Sequence, residues 1–183
     1  MESGAAAARA GRGQTLYKLP FWAAFPLGIT AAVIGICEGV LSTHLSQARD
    51  RVTAMGTAIK DDPYVLYAIS EAASEIAASR TQLLDGISRL YDLIDAGQPV
   101  SFTDRAEVRR NQIRAAWRAV SAADEIFARA GGNAARRNNP LQRFWRDAHV
   151  GLQHAAHISG TVYHATALAS LGAEPQGALR ALI

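Results

Sequence analysis

A chain of 183 residues and 19.5 kDa has the size of one ordinary domain or a small helical bundle. Its 49% apolar and 19% charged residues exclude wholesale disorder and low-complexity or collagen-like structure. Nineteen Lys+Arg against 16 Asp+Glu leave a charge of +3, too small an asymmetry to argue for a nucleic-acid partner.

Residues 1–14 carry Gly, Ala and Arg without an apolar period and read as a mobile leader. From Leu19 to Cys37 the chain is almost wholly apolar, with Thr30 as its one clearly polar side chain. That run is long enough to cross a bilayer, and Arg9, Arg12 and Lys18 precede it. Pro20, Pro26, Gly28 and Gly35 interrupt it, however, and the helical pattern continues past Glu38 through Leu41, His44 and Leu45 towards Arg49. A core helix with a polar end is therefore expected rather than a membrane anchor. Cys37 is the single cysteine, so neither a disulfide framework nor a Cys-based zinc site is possible; it reads as a buried thiol in a reducing, cytoplasmic setting.

Asp62-Pro63 places an N-cap and a proline at the start of a second helix. Its apolar stripe is expected at Leu66, Ile69, Ala73, Ile76, Leu83, Ile87, Leu90 and Ile94, ending at Gly97, with Arg80 falling where an apolar residue is due. A third helix starts near Ser101–Thr103 and runs through Val108, Ile113, Trp117, Val120 and Phe127 to Gly131-Gly132. Asn139-Pro140 with Gln142 forms a capping-box variant that opens a fourth helix, expected to continue through Leu152, Ile158 and Val162 to about Leu171-Gly172. No strand alternation or hairpin dipeptide occurs. The pattern predicts an all-α, antiparallel four-helix bundle over 15–172, followed by a tail at 173–183.

Two features offer chemistry. The stretch from Gly131 to Pro140 joins a glycine turn, Arg136, Arg137 and a helix N-terminus, followed by Arg143 and Arg146. Such a turn can hold an anion or phosphate, or it can be a solvated basic loop. The fourth helix also carries His149, His154, His157 and His164. On a continuous helix, His154, His157 and His164 share a stripe about 80° wide. They lack the paired glutamate of a zincin or ferritin helix, so no metal is expected, and the choice lies between core histidines and one catalytic imidazole. His154, beside the line Ala148–Leu152–Ala155, is the best placed acid or base.

The run Asn139-Pro-Leu-Gln-Arg-Phe-Trp-Arg-Asp-Ala-His-Val-Gly-Leu-Gln-His154 resembles the last helix of the acyl-CoA dehydrogenase fold. More specifically, it is similar to the two-component flavin-dependent monooxygenases that share this fold and hydroxylate phenols. The resemblance extends through Gly131-Gly132, Ser70-Glu71-Ala72-Ala73-Ser74-Glu75-Ile76 and Pro26-Leu27-Gly28, and covers about residues 15–172. In the dehydrogenases a glutamate base stands nine residues after the arginine of this motif; here that position is Ala155, and His154 precedes it as in the monooxygenases.

The resemblance implies His154 as the catalytic imidazole, acting on a bound phenol or on the oxygen carried by the flavin. It implies Arg51, with Arg49 as the register alternative, together with Gly131, Gly132 and Asn133 as cofactor-binding residues. Relatives often carry arginine where Asn133 stands, which leaves Arg136 and Arg137 as substitutes. The cofactor would be reduced flavin, FMN or FAD, delivered by a separate reductase; the substrate would be a small aromatic molecule; the assembly would be a homotetramer. Members of this family begin with a helical and a β domain that this chain lacks, so the resemblance implies the C-terminal half of such an enzyme. The alternatives are a non-catalytic oligomerisation remnant of the same ancestry, a dehydrogenase-like protein, or a membrane-anchored bundle.

Overall fold

A computed structural model describes residues 9–183; most of the expected 1–14 leader, residues 1–8, lies outside the described residues. The described residues are all-α, with one isolated bridge, Val52 to Ala58. The helices are α1 (Phe21–Ala48), α2 (Pro63–Asp95), α3 (Phe102–Arg129), α4 (Pro140–Leu152), α5 (Ser159–Ser170) and the short α6 (Ala178–Ala181). α1, α2 and α3 are three of the expected four helices. The fourth is divided into α4 and α5, with a short 3-10 turn at Ala155–His157 between them.

Local chemistry explains the ends. Asp62 Oδ1 accepts from the amides of Tyr64 at 2.9 Å and Val65 at 3.3 Å, while Pro63 occupies the first helical position of α2. Gly97, at φ 69°, closes α2: its amide reaches Ile94 O at 3.0 Å and that of Gln98 reaches Leu93 O at 2.9 Å, a Schellman closure. Ser101 and Asp104 exchange side-chain-to-amide bonds of 3.1 and 2.9 Å at the start of α3.

The buried face of α2 is Val65, Ala68, Ala72, Ile76, Ser79, Leu83, Gly86 and Leu90. The expected stripe is thus one residue late over its first turns, where Leu66 and Ala73 are exposed. Val65 packs with Ala48 and Ile59, which fixes the rotation of the helix at its start. Ser79, not Arg80, takes the inward position, its hydroxyl donating to Glu75 O at 2.8 Å. Arg80 turns outward and pairs with Glu38 at 3.1 Å.

The chain divides into two compact units. The described part of the first comprises 9–30, 81–114 and 155–183. Its core has one cluster around Leu19, Ala23, Leu90 and Val108 and another around Ala106, Ile113, Val162, Ala165 and Ile183. It also buries polar side chains: Thr30, Arg109, Gln112, His157 and Thr166.

The second unit comprises 31–80 and 115–154. Val33, Ile34, Cys37 and Val40 of α1 are buried, as are Ala115, Ala116, Ala119, Ala122, Ala123 and Ile126 of α3. Small residues here permit close helix packing: a Cβ on Gly151 would fall 2.8 Å from Val33 Cγ2. α1 is long and apolar enough to cross a membrane by length and composition alone. Its inward face nonetheless carries the buried polar residues Thr30 and His44 as well as Cys37. Burial, reinforced by Asp124 and Glu38, pushes the Cys37 thiol up to about 12, which leaves it unreactive near neutral pH.

Candidate functional site

Arg51, Gly131, Gly132, Asn133, His149 and His154 fall in the second unit, while His157 and His164 belong to the first. After α1 ends, the chain doubles back through a tight turn. Thr53 N donates to Thr57 O at 2.8 Å, Gly56 sits at φ 83°, and Ile59 N donates to Arg51 O at 2.9 Å. Buried Ile59 anchors this turn against Ala48 and Val65. The backbone of Arg51 is thereby fixed, and its guanidinium Nη1 donates to Ala130 O at the end of α3.

Gly131 follows at φ 72° and ψ 175°, a region that essentially only glycine occupies. A Cβ at this position would collide with the Arg51 guanidinium. The Arg51 guanidinium therefore occupies the space that a side chain at position 131 would take. The 3-10 turn Gly132–Ala135 comes next, with Gly132 and Asn133 exposed and Ala134 buried beneath them.

Asn139 holds the far side of the turn. Its Nδ2 donates to Asn133 O at 3.1 Å, and its Oδ1 caps α4 by accepting from Leu141 N at 2.9 Å. The same amide pairs with Gln47, the last residue but one of α1, through bonds of 3.0 and 3.3 Å. The expected capping box is half formed: Gln142 donates to Arg137 O at 3.4 Å, while Asn139 N bonds Arg136 O instead. Arg51, Gly131, Gly132 and Asn133 are thus brought together in one loop cluster. Arg49, Arg136 and Arg137 are exposed at its margin.

One residue of this region escapes sequence reading except as a helix position. His44 lies seven residues before Arg51, is 2% exposed, and its Nε2 is buried with no hydrogen-bond partner among the described residues. Burial, assisted by the positive charge of Arg51, pushes its pKa below the usual 6.5. The available signal was its 3-4 spacing with Cys37, Val40 and Ala48 on an otherwise apolar face. The unfolded chain takes up a proton that the folded form refuses, so this contribution to stability is held above pH 6.5 and lost as pH falls below it. Urea midpoints of the wild type should drop on acidification below pH 6.5, and His44→Leu should flatten that limb.

His154 stands at the other end of α4. The helix has 13 residues, and at ~1.5 Å per residue it separates the Asn139 cap from His154 by about 20 Å. The loop cluster and the imidazole are therefore two stations of one unit, not one constellation. His154 is exposed, and its amide donates to Gly151 O at 3.2 Å.

The expected stripe of His154, His157 and His164 does not form, because α4 and α5 are separate helices. His157 is 1% exposed and pairs with Thr30, and His164 is exposed. His149 is differently committed. Its Nδ1 lies 2.9 Å from Trp145 O and its Nε2 lies 3.2 Å from Asp124 Oδ1, which also accepts from Trp145 Nε1 at 2.7 Å. Both ring nitrogens face acceptors, so His149 is a strut of the Phe127–Trp145 stack and not an available base. Among the described residues no three His, Cys, Asp or Glu side chains converge as a metal site would require.

A phosphate or similar anion fits the chemistry of the loop cluster: a guanidinium, a glycine that admits close backbone approach, and an exposed turn at the head of a helix. The family profile described as acyl-CoA dehydrogenase, C-terminal domain, matches residues 27–159. A pigment production hydroxylase of Rhodococcus erythropolis is 54% identical over 180 residues, 98% of this chain and 46% of that protein. The flavin-dependent monooxygenase oxygenase subunit HsaA of Rhodococcus jostii is 40% identical over 150 residues, 81% of this chain and 39% of that protein. The crystal structure of the HsaA monooxygenase from Mycobacterium tuberculosis superimposes with a TM-score of 0.87 at 34% identity, covering 97% of this chain and 45% of that one. The chain thus spans less than half the length of these relatives.

Proposed function

The chain belongs to the acyl-CoA dehydrogenase C-terminal domain family, and from that premise we propose that it serves as the C-terminal part of a reduced-flavin-dependent aromatic monooxygenase. The observation that carries this reading is the Arg51 guanidinium lying against the side-chain-free face of Gly131, beside the exposed Gly132-Asn133 turn. Arg51 and the turn would hold the flavin phosphate. When bound, reduced flavin supplies the activation of O2 that puts an oxygen on an aromatic ring. His154 accepts the proton of a phenolic hydroxyl on one of its ring nitrogens, or donates to the reacting oxygen. The position where a dehydrogenase carries its glutamate is Ala155, which moves no proton; that disfavours acyl-CoA chemistry.

The partners in this reading are a flavin reductase, a small aromatic substrate and further copies of the chain in a cytoplasmic homotetramer. The outward face of α1 suits self-association. Phe21 and Phe25 are 45% and 47% exposed and stack 5.2 Å apart, and Gly28 is an exposed small position further along the same helix.

Anaerobic titration of the chain with reduced FMN and with reduced FAD, with oligomer mass followed in parallel, tests the proposal. Micromolar binding by a tetramer is the expected result, and the tighter of the two flavins identifies the cofactor. A folded oligomer that binds neither would favour the oligomerisation-remnant reading.

A further inference from the structure

The first unit contains a cleft of about 520 Å³ whose lining lies wholly within that unit. Its walls come from segments that are pinned separately. Thr15 Oγ1 donates to Asp95 Oδ1 at 2.7 Å, tying the turn before α1 to the end of α2. Leu19 packs with Leu90 and Val108, and Ile94 and Val100 lie against that cluster. Ile183 joins Ala106 and Ile113 in a second cluster, with Leu179 and Leu182 against it. Phe21, Trp22, Ile94 and Val100 give the cleft its apolar surface. The two aromatic rings meet edge to face, with centroids 5.3 Å apart.

The polar edge is basic. Lys18, Arg105 and Arg180 line it, and no acidic side chain does. Arg105 comes from α3 and Arg180 from α6, yet both guanidinium groups lie against one ring. Their Cζ atoms are 5.8 and 5.4 Å from the centroid of Phe102. Arg180 pairs with Glu174, which is not part of the lining. Among the described residues Arg105 donates to backbone oxygens, Ser101 O at 3.4 Å and Ile183 O at 3.2 Å. Burial, and then the charge of Arg180, push its guanidinium below the usual value. Two cations thus converge on one edge of the cleft, and an anion there would offset their repulsion. Inorganic phosphate would use that edge alone, whereas the aromatic and aliphatic walls suit a ligand with an apolar body.

We propose that this cleft binds a small aromatic carboxylate, with its carboxylate at Arg105 and Arg180 and its ring against Phe21 and Trp22. Guanidinium groups match a carboxylate in shape as well as charge, and the volume falls within the ~300–1,000 Å³ of small-molecule sites. The inference needs no flavin, so it stands or falls separately from the proposed monooxygenase role.

The test titrates the full chain with benzoate and follows the indole N–H signals of its three tryptophans by NMR. Trp22 lines the cleft, whereas Trp117 and Trp145 belong to the second unit. Saturable binding that moves the Trp22 signal and leaves the other two in place is the expected result. Benzamide, the same ring without the charge, should bind at least about tenfold more weakly, and hexanoate, the same charge without the ring, should also bind more weakly. Arg180→Gln, at an exposed position, should weaken benzoate by about tenfold, while Lys60→Gln in the second unit should leave it unchanged. Absence of saturable binding, an unmoved Trp22 signal, equal affinity for benzoate and benzamide, hexanoate as tight as benzoate, or undiminished affinity in Arg180→Gln each overturns the proposal.

Discussion

Replacing His154 by alanine in the complete enzyme is expected to lower hydroxylation by about 10²–10⁴-fold, the usual worth of a positioned acid or base. Reduced-flavin affinity should be unchanged, because α4 separates His154 from the Arg51–Gly131 cluster. The informative control is His149→Ala. Its ring is committed at both nitrogens, to Trp145 O and to Asp124, so its loss should reduce stability by about 1–2 kcal/mol and leave the chemical rate within a few fold. Rapid-mixing kinetics of oxygen transfer together with urea unfolding distinguishes the two outcomes. Equal losses of rate in both variants would mean that imidazole count, not the placement of His154, is what matters.

Gly131→Ala is expected to weaken reduced-flavin binding by at least about tenfold, equivalent to ~1.4 kcal/mol. The substitution acts twice. Alanine at φ 72° and ψ 175° carries a backbone penalty of about 1–3 kcal/mol, and its methyl group displaces the Arg51 guanidinium from Ala130 O. Gly132→Ala is the comparison that isolates this effect. Nothing lies within 4 Å of a Cβ built there and its φ is ordinary for an L residue, so its stability should match the wild type. A Gly131→Ala protein that binds flavin as tightly as the parent would remove the loop cluster from the cofactor site.

What could be read directly from the sequence was whatever local chemistry decides. Asp62-Pro63, Gly97, Ser101 and Asn139 each act through groups within a few residues of themselves, and each cap or stop appears in the fold. The gathering of Arg51 with Gly131-Gly132-Asn133 followed from the family likeness, but its physical basis did not. No periodicity announces that the Arg51 guanidinium needs a glycine beneath it. The rotation of α2 was one residue off because Leu66 and Val65 are equally apolar; Ile59 and Ala48, distant in pattern, decide which of them faces inward. The break after His154 was invisible for a related reason. Gln153 to Ile158 contains nothing that forbids a helix, and the side chains that bond the turn after it, Thr30 and Arg109, are far away in the chain.

Cys37 makes the native protein its own stopwatch. It is the single cysteine in the chain, lies fully buried at 0% exposure, and holds its proton far above neutrality. A thiol-selective reagent consequently has no competing thiol, and modifies Cys37 only during excursions that expose the middle of α1. With opening and reclosing fast relative to the reagent, the labelling rate divided by that of a free thiol is the opening equilibrium constant itself. Intact-mass measurements over time would report the stability of this helix in dilute solution, without denaturant and without an engineered probe.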